Sequence, residues 1–148
     1  MKKYIFPYGL KWEENGKIIT FPSISAYFYL KKERELFTLL LIDSEAKFTL
    51  LNKRDGESLG IDLEKGKEAM VRGISGDILK VFRHEILIEI GKEKFKIPIL
   101  FSISEGSPRV LGREGVFDKF FILFDEKLKQ TIFIRRDTDS EKKLKSIL

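Results

Sequence analysis

The alternation of apolar and polar residues over residues 82–103 constrains the fold of this chain most strongly. Between Phe82 and Ile90 the even positions are apolar or aromatic, apart from His84, and most odd positions are polar. A period of two places alternate side chains on opposite faces of a β-strand. A turn at residues 91–94 leads into a second alternating run, whose apolar members are Phe95, Ile97, Ile99, Phe101 and Ile103. The pair predicts a long hairpin and an all-β protein.

The remaining apolar runs are short and are separated by turn residues, which is also typical of an all-β chain. We expect extended segments at residues 4–6 and 17–21 around a turn at 14–16, and further strands at 24–30, 37–42, 48–51, 120–124 and 131–134. Residues 52–61 predict a loop or a single helical turn, and residues 114–119 predict one or two helical turns. With 148 residues, 43% of them hydrophobic, the chain suits one domain with a core.

The inventory of reactive side chains excludes most hydrolytic chemistries. The chain has no cysteine and one histidine, which excludes a thiol nucleophile and a zinc site built from His and Cys. A Ser-His-Asp triad would depend on His84, which the strand pattern predicts to be a core residue held by a hydrogen bond. Carboxylate chemistry remains, with no metal and no other cofactor.

Composition also bears on partners and location. No apolar run is long enough to span a membrane, and the first residues lack the apolar core of a signal peptide, so we expect a cytoplasmic protein without membrane partners. The net charge is +5, but basic and acidic residues alternate along the chain. Interspersed charge argues against nucleic acid as a partner.

The segment 37–51 places a single carboxylate, Asp43, at the end of an apolar run and follows it with a small polar turn. One interpretation is a strand-ending aspartate that caps the turn. The other is catalysis, because an acid beside a buried strand is costly unless it has partners or a chemical role. In a second segment, at 109–117, Gly112 ends another apolar strand and a short helical pattern follows it.

Three segments in this order resemble the retropepsin-like aspartic proteases. The family has an apolar strand running into Asp-Thr/Ser-Gly-Ala, then a glycine-rich flap hairpin, then a hydrophobic-hydrophobic-Gly-Arg segment that opens a short helix. This chain has Ile42-Asp43-Ser44-Glu45-Ala46, Val71-Arg72-Gly73-Ile74-Ser75-Gly76 and Val110-Leu111-Gly112-Arg113. The resemblance implies an acid-protease β-barrel with a flap hairpin and one short C-terminal helix. Residues 1–136 would form this domain, with 1–21 as N-terminal extension strands and 137–148 as a charged tail or frayed helix.

The resemblance also implies roles for individual residues. Asp43 would be the catalytic aspartate of a homodimer in which two copies share one proton and activate a water against a peptide bond. Ser44, Glu45 and Ala46 would form the active-site loop, and Gly73, Ile74, Ser75 and Gly76 would form the flap over the peptide substrate. Structural support would come from Leu111, Gly112 and Arg113.

Two residues depart from the family's signature. Glu45 replaces a glycine, so its side chain is expected to intrude on the cleft and to bring two more carboxylates near the dyad. Lys47 replaces an acid that pairs with the arginine at Arg113, and Asp118 is a candidate substitute partner. A second hypothesis is therefore an inactive dimeric module that binds peptide by strand pairing. A third is a polyanion-binding domain with salt-dependent affinity.

Overall fold

A computed structural model describes residues 1–31, 34–73 and 76–148 of the chain. Its strands are β1 (Lys3–Pro7), β2 (Gly9–Trp12), β3 (Ile18–Phe21), β4 (Ser23–Lys31), β5 (Arg34–Ile42), β6 (Thr49–Leu51), β7 (Lys67–Arg72), β8 (Ile78–Ile90), β9 (Glu93–Ser102), β10 (Val110–Leu111), β11 (Phe120–Asp125) and β12 (Gln130–Arg135). Its helices are α1 (Lys53–Leu59), a single 3₁₀ turn (Leu63–Lys65) and α2 (Thr138–Ile147). No helix in the described ranges is long and apolar enough to cross a membrane.

Six strands form a closed barrel, as predicted. The order is β4-β5-β10-β6-β9-β8, and β8 pairs back onto β4 through Tyr27 and Glu89 to close the ring. β7 continues the sheet beyond β8 and forms a hairpin with it. The short strand β10 lies between β5, to which it is parallel, and β6, to which it is antiparallel.

The predicted hairpin at 82–103 provides much of the core. Ile86 lies opposite Ile97 in the register, and both are buried because alternate positions of paired strands share a face. The apolar alternation is internal only as far as Phe101. Ile103, predicted to belong to the same strand, lies beyond the end of β9 and is half exposed. His84 is held as predicted, because its Nε2 donates a hydrogen bond to the carbonyl of Leu63 at 2.9 Å.

The two N-terminal segments predicted at 4–6 and 17–21 do not pair with each other. The predicted turn is present, with Gly16 at a positive φ of 79°, but it joins β2 to β3. β1 instead pairs with β12 near the other end of the chain, where Lys3 lies opposite Ile134, and β11 completes this separate sheet. Local pattern identifies a strand but not its partner, so this long-range pairing was not predicted.

The two helices also refine the predictions. Residues 114–119 form consecutive turns rather than a helix. The one short C-terminal helix is confirmed, but it is α2, within the segment predicted as a charged tail or frayed helix. Asp137 caps α2, because its carboxylate accepts the N–H of Ser140 and Ser140 Oγ accepts the N–H of Asp137.

Helix α1 carries a partly buried ion pair that no sequence pattern indicated. Asp55, its third residue, has a side chain only 2% exposed and accepts hydrogen bonds from Arg109 Nε and Nη2 at 2.8 and 2.9 Å. Asp55 Oδ2 also accepts the N–H of Asn52 at 3.2 Å and completes a capping box. The hydrogen bond to Asp55 raises the pKa of the Arg109 guanidinium. The pair fastens α1 to the segment that enters β10.

We expect Arg109→Met to destabilise the protein by about 2–4 kcal/mol, because it leaves the Asp55 carboxylate buried without a cation. Adding Asp55→Asn should recover part of this loss, since a neutral amide costs less to bury. Urea denaturation checks both changes. Arg54→Met is the control, because Arg54 is exposed and lies 4.0 Å from Glu105; its effect should be within about 0.5 kcal/mol. An equal effect of Arg109→Met and Arg54→Met would show that the buried pair does not hold the fold.

Candidate active site

Asp43 lies immediately after β5 in a turn that orients its carboxylate. The N–H of Asp43 donates to the carbonyl of Leu111 at 3.1 Å. The N–H of Glu45 donates to Asp43 Oδ1 at 2.9 Å, and the N–H of Ala46 donates to the Asp43 carbonyl at 3.3 Å. Asp43 and Ala46 are half-buried, whereas Ser44 and Glu45 are exposed. The turn thus fixes Asp43 Oδ1 through a backbone N–H group, and no described backbone N–H of the turn bonds to Oδ2.

The segment after β10 supports this turn from beneath. The N–H groups of Arg113 and Glu114 donate to the carbonyls of Ala46 and Lys47 at 2.9 and 2.7 Å. The N–H of Gly112 donates to the buried Oγ1 of Thr49 at 3.1 Å. These three hydrogen bonds hold the chain from Ala46 to Thr49 against the segment that follows β10.

Gly112 lies directly against the backbone of the loop. A Cβ built on Gly112 would lie 2.3 Å from both the carbonyl carbon and the carbonyl oxygen of Phe48. No side chain fits at this separation, so glycine is required here by close backbone approach rather than by a positive φ. The structure therefore places Leu111, Gly112 and Arg113 against the backbone of the loop that contains Asp43.

Glu45 occupies an ordinary backbone conformation. Among the described non-glycine residues, a positive φ occurs at Lys129. Glu45, where the signature that the sequence resembles has glycine, therefore adds a side chain and a charge without backbone strain. The side chain is exposed and is not part of the cavity wall described next, so it does not narrow the cavity of the single chain.

A cavity of about 700 Å³ lies beside Asp43. Asp43 and Ala46 line it from the loop after β5, and Gly73 lines it from the β7–β8 hairpin. Gly76, at φ 84°, lies in the tip of this hairpin, where its N–H donates to the Gly73 carbonyl at 3.0 Å. The predicted flap residues Ile74 and Ser75 lie outside the described residues. The structure thus brings the hairpin and the Asp43 loop to one cavity.

A third wall of the cavity was not singled out from the sequence. Ser104, Gly106, Ser107 and Pro108 line it from the loop between β9 and β10. Ser107 Oγ lies 2.5 Å from Ser102 Oγ in a buried hydrogen bond, and Arg109 fastens the end of the loop to α1. The Gly, Ser and Pro residues predicted a loop here. They did not predict that it lines the cavity, because the other cavity walls are distant in sequence.

The ion pair expected between Arg113 and Asp118 is not formed. The Asp118 carboxylate instead lies 3.6 Å from Lys119 Nζ. Arg113 is exposed and forms no ion pair with any residue that the structure describes. Lys47 Nζ lies 5.3 Å from the centroid of the Phe48 ring and is likewise without an ion pair in the described ranges.

Comparison with known structures identifies the class of fold. A retropepsin-like aspartic protease from Rickettsia conorii superposes with a TM-score of 0.62 at 19% identity, over 89% of this chain and 89% of that one. EIAV protease in complex with an inhibitor matches with a TM-score of 0.48 at 17% identity, over 62% of this chain and 81% of that one. No family model and no curated protein sequence matches the chain. This chain therefore has the retropepsin-like fold.

We expect Gly112→Ala to lower the free energy of unfolding by about 2 kcal/mol or more, because its methyl group would displace the Phe48 backbone. The melting temperature should fall by roughly 5 °C or more in a thermal scan. Gly106→Ala is the matched control, since a Cβ there has no atom within 4 Å. Equal melting temperatures for the two variants would contradict the close contact assigned to Gly112.

Proposed function

We propose that this chain is an aspartic endopeptidase that hydrolyses peptide bonds as a homodimer. The observation that carries the proposal is the position of Asp43, whose carboxylate is oriented by the N–H of Glu45 and lines a cavity bordered by a hairpin. A carboxylate held at the wall of a large, mostly apolar cavity suits general acid and base chemistry on a peptide.

The mechanism requires two copies of the chain. The sequence Asp-Ser-Glu also occurs at residues 139–141, in helix α2. The Asp139 carboxylate pairs with Lys143 at 3.1 Å and with the N-terminal amine at 3.5 Å. Asp139 is thus unsuited to the dyad, and the second aspartate is the Asp43 of a partner related by two-fold symmetry. Ser44, beside the dyad, is assigned to bracing the two loops across this axis.

The reaction uses the two carboxyl groups in opposite protonation states. Two like charges a few ångströms apart do not both ionise, so the dyad holds one proton. The ionised Asp43 takes a proton from water as the water oxygen attacks the peptide carbonyl carbon, and the protonated Asp43 donates to the carbonyl oxygen. The C–N bond of the tetrahedral intermediate then breaks. The Asp43 that took the proton from water gives it to the leaving amine nitrogen, and a hydroxyl group of the intermediate returns its proton to the other Asp43, which restores the dyad.

The β7–β8 hairpin is assigned the role of a flap. It meets the cavity through Gly73, whose carbonyl accepts the N–H of Gly76. A hairpin over the cleft excludes water from the bound peptide and adds backbone partners to it.

We expect Asp43→Asn to abolish cleavage of an unstructured protein at every pH between about 3 and 7, because an amide cannot accept the proton of water. Gel electrophoresis of digests over this pH range measures the loss. Asp62→Asn is the control, since Asp62 is exposed and its side chain does not cap the adjacent 3₁₀ turn. Cleavage that survives Asp43→Asn would overturn the assigned dyad.

A non-catalytic dimeric module that binds peptide is the second candidate function. The observation in its favour is the exposed carboxylate of Glu45 two residues after Asp43, which would add two negative charges near the dyad of a dimer. Four carboxylates in one site oppose ionisation of the dyad and place charge where the peptide backbone must approach.

Glu45→Gly and Glu45→Gln separate these two functions. Glu45→Gln removes the charge but keeps the size, so it should shift the pH profile of cleavage to lower pH. Glu45→Gly removes both and should raise kcat/KM by about tenfold or more if bulk also limits the approach of the substrate. Unchanged profiles in both variants would exclude Glu45 as the residue that limits activity.

A further inference from the structure

The cavity beside Asp43 carries two cationic side chains that the proposed reaction does not use. Lys47 reaches it from the active-site loop, and Arg72 reaches it from the end of β7. Both side chains are exposed, and neither forms an ion pair within the described ranges. The two cations are therefore open to a ligand.

Two carboxylates also line this cavity, and neither is assigned to the recognition of a substrate side chain. Asp43 Oδ1 accepts the N–H of Glu45, and Asp43 is reserved for the dyad. Asp77 also lines the cavity and has an interaction of its own. Lys47 and Arg72 are therefore the charged side chains assigned to recognition, and they share the cavity with an apolar wall formed by Phe48, Leu50, Val71, Leu79, Leu100 and Val110.

We propose that the cavity selects extended peptides that carry an acidic side chain close to large apolar ones, with Lys47 and Arg72 as the residues that determine this specificity. The inference rests on the proposed function, since it assigns a substrate class to the same site. An Asp or Glu side chain complements both cations, whereas Lys or Arg at the same place is repelled.

Chain geometry limits where the acidic residue lies in the substrate. Lys47 is four residues from Asp43, so their Cα atoms are at most about 14 Å apart. An extended peptide rises about 3.3 Å per residue. The acidic side chain that contacts Lys47 should therefore lie within about four residues of the bond that is cut.

The test uses ten-residue fluorogenic peptides with a central pair of apolar residues and a Glu, Gln or Lys placed in turn at each flanking position. We expect Glu to raise kcat/KM over Gln by about two- to fivefold for each cation engaged, and Lys to lower it. The preference should weaken at high salt, because exposed charges are screened.

Substitutions of Lys47 and Arg72 test whether these two cations cause the preference for Glu over Gln in the peptide. Lys47→Gln and Arg72→Gln should each reduce the ratio of Glu to Gln peptide cleavage, and the double variant should bring it close to one, with little change on the Gln peptide. Lys96→Gln is the control, since Lys96 is an exposed lysine of β9 outside the cavity. A ratio that survives the double variant, or a wild-type ratio near one at every position, would overturn the inference while leaving the peptidase proposal intact.

Binding of the same peptides to the Asp43→Asn chain, followed by fluorescence anisotropy, separates the two proposals. If no peptide is cut but the acidic ones bind more tightly and lose this advantage in the double variant, the specificity stands and the peptidase proposal fails. If no peptide is cut or bound, both proposals are wrong.

Discussion

The close contact between Gly112 and the backbone of Phe48 is the constraint on which the site depends. A Cβ at Gly112 would lie 2.3 Å from the Phe48 carbonyl, so the segment after β10 passes under the Asp43 loop only because it has no side chain at this point. This passage lets Leu111 accept the N–H of Asp43 and lets the N–H of Arg113 reach the Ala46 carbonyl. The orientation of the carboxylate therefore depends on a residue almost seventy positions away.

The Asp55–Arg109 pair secures the approach to this passage. Arg109 precedes β10 directly, and its two hydrogen bonds to a nearly fully buried carboxylate fix the end of the loop that walls the cavity. Burying a charge is favourable only when the partner and remaining hydrogen bonds are present, and Asn52 supplies the remaining N–H. This one ion pair thus fixes both the start of β10 and the β9–β10 loop, which forms part of the cavity wall.

Local patterns predicted a large part of the fold and several elements of the candidate site. The alternation at 82–103 predicted β8 and β9 because a half-buried strand has a side-chain period of two, and the apolar run before Asp43 predicted the strand that ends at the site. The short C-terminal helix that the resemblance implied is confirmed at 138–147, whereas residues 114–119, where the local pattern predicted one or two helical turns, form turns because a single turn of helix has little stability of its own. The bond between Asp55 and Arg109 left no local signal, since its partners are separated by 54 positions.

The sequence by itself determined most of the strands and turns, and that Asp43 follows one strand while Gly112 follows another. These features depend on backbone preferences and side-chain period, which act over a few residues. Only the tertiary structure decided that β1 pairs with β12, that β10 lies between β5 and β6, and that Lys47 and Arg72 line one cavity. Strand partners and cavity walls are contacts between distant segments, so their free energy depends on the assembled barrel rather than on any local stretch.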